Sequence, residues 1–217
     1  MKNFTTDSAP YKEIETRVNF EGKASAGKLI ALVSAILIDS IGLTQNSIKV
    51  IVGASIISPL IGSILSIGFA LGTGNLKRFS HYTIDLLLEI LLGLILSTLY
   101  FIIFPISMLP PESIAHTSVS ILDIIIAVFG GIAATLELTR KKTAFIIPGV
   151  AIASSLTTPL CTAGLGIVRK SLSYFLDSLY VFITFSFFLI FSSCITTALL
   201  RIPSKPTNEK SNQDCAK

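Results

Sequence analysis

The stretch Gly53-Ala-Ser-Ile-Ile-Ser-Pro-Leu-Ile-Gly62 lies in an apolar run from 48 to 72 whose single charged residue is Lys49. A bilayer-spanning helix takes ~20 mostly apolar residues, so this run is long enough to cross. Pro59 falls near its middle. Proline removes one backbone donor and crowds the preceding turn; water repairs that damage at a surface, but lipid does not. Ser58-Pro59 therefore predicts either a kink or a true break. In a break, the hydroxyl and the proline occupy the positions favoured at the start of a new half-helix.

The rest of the chain reads in the same way. Hydrophobic residues make up 51% of the 217 and charged residues 14%, against roughly 25% charged in a soluble domain. Six stretches qualify or nearly qualify as spans: 28–43, 48–72, 84–104, 119–138, 144–168 and 174–200. The predicted fold is thus an all-α integral membrane protein of about six transmembrane helices. It divides into an N-terminal cytoplasmic segment (1–27), a transmembrane domain (28–200) and a polar cytoplasmic tail (201–217). Residues 1–28 mix basic and acidic side chains ahead of the first apolar run, which is unlike a cleaved signal peptide.

Charge sets the expected orientation. With the N-terminus inside, only Lys49, Arg169 and Lys170 of the 17 Lys and Arg fall in outer loops. Cytoplasmic loops hold the excess of Lys and Arg, so both termini are expected in the cytoplasm of a bacterial inner or plasma membrane. The formal charge of +4 is scattered between apolar runs and does not point to nucleic acid. Cys161, Cys194 and Cys215 have no disulfide or metal-ligand spacing. His116, in the expected outer loop, reads as an ordinary loop residue. No cofactor or metal is expected.

The fifth run repeats the second. Ala153-Ser-Ser-Leu-Thr-Thr-Pro-Leu-Cys-Thr162 aligns on Pro59 and Pro159, pairing Ser55 with Ser155, Ser58 with Thr158, and Leu60 with Leu160. The third members also share Tyr82-x-x-Asp85 and Tyr174-x-x-Asp177. Three spans per unit is an odd number, so two units, 28–104 and 119–200, would run in opposite directions, as in many secondary transporters. If both prolines break their helices, two half-helix N-termini face one mid-membrane cavity, a field that suits an anion or a carboxylate. The candidate substrate-binding residues are Ser55, Ser58, Pro59, Ser155, Thr158 and Pro159. If both are only kinks, the hydroxyls bond carbonyls one turn back and nothing binds.

Six carboxylates fall within or at the edges of spans: Asp39, Asp85, Glu89, Asp123, Glu137 and Asp177. Buried charge in a membrane is costly and usually has a partner or a function. Asp85 and Glu89 are four apart and share one helix face, a candidate ion or proton site or an interfacial pair held by Lys77, Arg78 or lipid headgroups. Asp39 is placed to meet Lys49. Gly68 and Gly72, and Gly130, Gly131, Ala133 and Ala134, form small-residue faces suited to joining the units or to homo-oligomers. The phenylalanines of the sixth run, from Phe175 to Phe191, read as lipid-facing.

From about Leu29 to Arg169 the chain resembles a membrane family known as domain of unknown function 389. The carrying residues are Ser40-Ile-Gly42, Val52-Gly-Ala-Ser-Ile-Ile-Ser-Pro-Leu-Ile-Gly62, Leu122-Asp123, Gly130-Gly-Ile-Ala133, Gly149-Val-Ala-Ile-Ala153, Pro159-Leu160 and Ala163-Gly-Leu165. The family pattern often has proline where Ser63 stands, a proline pair at Thr158-Pro159, and Arg-Thr at His116-Thr117. The resemblance implies a shared membrane fold and names no activity. Two function classes follow from the residues: a transporter or channel for a small solute or ion, and a structural or regulatory protein acting through helix assembly. Protease, esterase and zinc-helix motifs are absent from the sequence, so an enzyme is not expected.

Overall fold

A computed structural model describes residues 10–106, 119–140 and 148–200, by backbone alone for 11 and 148–155. The described residues form eight helices: α1 (Tyr11–Gly22), α2 (Ala26–Thr44), α3 (Ile48–Ile57), α4 (Leu60–Gly72), α5 (Leu76–Ile103), α6 (Ile121–Thr139), α7 (Pro148–Val168) and α8 (Leu172–Leu199). By length and composition α2, α5, α6 and α8 can each cross a membrane, and α3 with α4 form a pair bent by 49°. In α7, of 21 residues, the part with described side chains is the apolar stretch Leu156–Val168. The fold is all-α and of the integral-membrane class.

Local chemistry explains the helix ends. Ser25, Asn75 and Ser171 cap α2, α5 and α8 by accepting from backbone N–H groups three residues on. Ser120 and Asp123 form a reciprocal capping box on α6, which gives Asp123 a structural role. The turns α2–α3, α4–α5 and α7–α8 close alike. Asn46, Gly74 and Lys170 take positive φ, and the next N–H reaches back five residues to a carbonyl: Ser47 to Gly42, Asn75 to Ala70, Ser171 to Gly166. This double-bonded left-handed cap satisfies carbonyls that lipid would leave bare.

The break between α3 and α4 falls where the sequence places it. Ser58, ahead of proline, has ψ 125, an extended value outside the helical range. Its N–H bonds only to the Ser55 carbonyl at 3.2 Å. At 1.5 Å per residue the two half-helices are about 15 Å and about 20 Å long, so the break lies near mid-depth. Pro159 behaves differently: α7 runs through it as a helix. Of the two prolines, each expected to kink or break its helix, only Pro59 breaks it. The reason lies in packing. α7 is the central helix, in contact with α2, α3, α4, α5, α6 and α8, and Leu156, Leu160, Cys161 and Ala163 are fully buried on it.

Other expectations change with the packing. α5 begins at Leu76, well before the expected 84, because Asn75 caps it there. α8 is not uniformly lipid-facing: Phe182 and Phe185 are buried with four serines and two threonines, while Phe187 and Phe191 point outward. Its small polar face receives α4 and α6, with Gly68 against Ser193 and Gly131 against Ser192. The outward rows on α5, including Leu87, Leu91, Ile95 and Leu99, make the apolar belt that lipid requires.

The N-terminal segment also holds α1, an amphipathic helix that buries Ile14 and Val18 against the bundle. It is tied on by Arg78 to Glu15, by Tyr82 donating to Asn19 at 2.6 Å, and by Ser66 donating to the Val18 carbonyl at 3.1 Å. Arg17 donates to the Arg140 carbonyl at 2.8 Å. One short helix thus joins the start of α5 to the end of α6.

Candidate functional site

The break opens beside α2 and α7, since α3 packs on both. Ser55, on α3, is fully buried and donates to the Ile51 carbonyl at 2.9 Å, a bond within its own helix. Ser58 Oγ is buried and has no hydrogen-bond partner among the described residues. Thr158, on α7, donates to Asp39 Oδ1 of α2 at 3.3 Å, and both residues are fully buried. Pro159 is buried inside α7. Ser155 belongs to α7, and its side chain lies outside the described residues.

Asp39 is therefore turned inward to Thr158 and is not paired with Lys49, which is exposed. The Cys161 thiol lies close to Asp39 and Ser40, and it donates weakly to the Ile36 carbonyl at 3.8 Å. Asp39 Oδ2, Ser40 Oγ and Thr157 Oγ1 join Ser58 Oγ as buried oxygens without a partner of hydrogen-bonding geometry. Such atoms are uncommon in folded proteins and call for an explanation. With α7 unbroken, the break leaves a single half-helix N-terminus, that of α4, instead of two facing each other. The sequence pattern found Thr158 but missed its partner Asp39, because partnership across 119 residues leaves no local signal.

Asp85 and Glu89 share a helix face yet have separate partners. Asp85 lies 3.6 Å from His81 near the surface. Glu89 is fully buried, 2.9 Å from Lys28 Nζ, and Glu89 Oε2 accepts from Ser63 at 2.7 Å. Lys28 also donates to Ser63 Oγ and to the Glu21 carbonyl. The Glu21 side chain lies over Gly62, and burial raises its carboxyl pKa above the ordinary 4.5, with Lys28 opposing and Glu89 adding to the rise. The Lys28–Ser63–Glu89 cluster links α2, α4 and α5 (Lys77 and Arg78 play no part in it). Among the described residues no group of three or more His, Cys, Asp or Glu is placed to hold a metal ion.

A bundle of apolar helices with one broken segment, α3–α4, and an outward apolar belt defines an integral membrane protein. The chain belongs to the family described as Domain of unknown function (DUF389), whose profile matches residues 55–191, well over half of it. It is also similar to an uncharacterized protein of Methanocaldococcus jannaschii, 27% identical over 153 residues, which are 69% of this chain and 48% of that protein. The chain thus spans about half the length of the curated relative it matches. No solved structure matches it.

Proposed function

We propose that the protein moves a small solute or ion across the membrane through a site between the α3–α4 break and α7. The observation that carries this reading is the set of buried, unpartnered oxygens at Asp39, Ser40, Ser58 and Thr157. In a purely structural bundle such groups would be paired or replaced by apolar ones, because each costs about 1–3 kcal/mol when left unmade. A site that opens to water and solute during a cycle gives them partners.

The reading includes six spans arranged as two inverted units, α2–α5 and α6–α8. Its support is one of correspondence. α2 and α6 each have 19 residues, and α5 and α8 each have 28. The α4–α5 and α7–α8 turns share one hydrogen-bond pattern. The middle of each unit packs on the last helix of the other, α4 on α8 and α7 on α5. The Tyr-x-x-Asp match does not align with that register, since equal turns place Tyr82 opposite Ser178. Both termini in the cytoplasm fits α1, which ties the basic ends at Arg78 and Arg140 to one side. The alternative, assembly through exposed glycine faces, loses support because Gly68, Gly72 and Gly131 are covered by α8 within the chain.

The test is flux in proteoliposomes across a panel of small anions, carboxylates and cations. Ser58→Ala and Thr158→Ala should each weaken solute binding by about 0.5–2 kcal/mol, the range for a lost hydroxyl ligand or cap. Absence of protein-dependent flux for every panel member would leave the transport reading without support and return the assembly reading to first place.

A further inference from the structure

We propose that Asp39 binds a small monovalent cation, a proton or an alkali-metal ion, at the α2–α7 contact beside the break. The inference names the ion class for the site proposed above, and it makes a binding prediction that holds whether or not a second solute is moved. Asp39 is fully buried, and among the described residues no Lys, Arg or His forms an ion pair with it. A carboxylate taken out of water without a counter-charge is costly enough that a cation or a proton must neutralise it. Thr158 supplies one hydrogen bond, to Oδ1. Oδ2 and the adjacent Ser40 Oγ, both buried, have no partner of good hydrogen-bonding geometry among the described residues, the weakly polar Cys161 thiol being their neighbour.

The surrounding charges leave that role open to a bound ion. From α7 the titratable neighbour is Cys161, neutral as a thiol and a weak donor. From α3 the nearest cation in sequence, Lys49, is exposed. On α5 Glu89 is committed to Lys28, and Asp85 lies by His81. The donors that remain are carboxylate and hydroxyl oxygens, which suit a proton or a hard cation over a soft metal. A divalent ion such as Ca²⁺ takes 6–8 oxygens, typically with several carboxylates. One carboxylate balances one positive charge.

The experiment is thermal unfolding of the purified full chain in detergent, with no candidate solute present. Sodium, potassium and choline chlorides are compared at equal ionic strength, and in choline the pH is varied. An alkali-ion site gives a higher Tm in sodium or potassium than in choline. A proton site gives no alkali effect and a Tm that rises as pH falls. Either dependence should disappear in Asp39→Asn. Thr158→Val, which removes a hydrogen bond that stabilises the ionised carboxylate, should make Asp39 hold its cation about tenfold more tightly, read as a pH dependence moved to higher pH or a half-saturating salt concentration moved lower, so the proposal stays testable if Asp39→Asn does not fold. Equal melting in all salts and at all pH values, or a dependence retained in Asp39→Asn, overturns the proposal. Cation-dependent melting without flux for any panel member keeps it and removes the transport reading; flux without cation dependence does the reverse.

Discussion

Lys28 and Glu89 form an ion pair of 2.9 Å within the bundle, with their side chains 8% and 0% exposed. Glu89 lies halfway along the 28 residues of α5, about 20 Å from either end at 1.5 Å per residue. The ammonium enters from the first turn of α2, and Ser63 of α4 donates to the same carboxylate. Three helices are thereby fixed in register by one buried charge and its counter-charge. Lys28→Met should destabilise the protein by about 3–5 kcal/mol, because it strands Glu89 without a partner. Lys28→Met with Glu89→Met should recover most of that loss, since a buried pair is often no better than an apolar one of similar volume. Thermal unfolding in detergent checks both; equal losses in the single and double variants would contradict the pairing.

A Cβ on Gly68 would lie 2.5 Å from Ser193 Cβ and 2.8 Å from the Ile190 carbonyl of α8, whereas one on Gly53 meets nothing within 4 Å. Gly68→Ala should therefore cost about 1–3 kcal/mol by forcing α4 and α8 apart. Gly53→Ala should be neutral or stabilise by about 0.5–1 kcal/mol through helix propensity, if its open face meets only lipid. The pair of melting curves separates packing from propensity. If Gly53→Ala destabilised as much as Gly68→Ala, the face at Gly53 would be covered by another copy of the chain.

Glu21 makes the docking of α1 sensitive to pH. Its carboxyl is raised above 4.5 by burial, so the folded protein holds that proton more tightly than the unfolded chain. The resulting stability is fully present below 4.5 and is lost as pH rises through the raised value. Glu21→Gln keeps the volume and removes the titration. The difference in Tm between wild type and Glu21→Gln should thus grow in the variant's favour as pH rises across that window. A constant difference would show that Glu21 is solvated in the docked helix.

Much of the fold is legible in the sequence because lipid imposes a length and a composition on every span. Ser58-Pro59 announces the break because proline acts locally on its predecessor. Pro159 carries the same local signal, but contacts on every side hold α7 together, and no pattern of neighbouring residues records them. Asp39 and Glu89 were visible as expensive charges, while their partners Thr158 and Lys28 are far away in sequence. α1 leaves little trace in the sequence because its inward residues, Ile14 and Val18, are few among charges. The serines and threonines of α8 read as filler among phenylalanines until α4 and α6 cover them.

The proposed site requires that the buried break at Ser58 open to water during a cycle, in contrast to Ile56 nearby, which is 61% exposed on the outer surface where lipid is expected. With Cys194 and Cys215 replaced by serine, and the buried Cys161 kept as the baseline, Ser58→Cys and Ile56→Cys variants are reacted in membranes with a small water-soluble maleimide. Thiols react as thiolates, which form in water and not in hydrocarbon. The account predicts labelling of the Ser58→Cys variant well above the baseline, and none above it for Ile56→Cys. A Ser58→Cys variant as unreactive as Ile56→Cys would contradict it, and would make the break a kink sealed within the bundle.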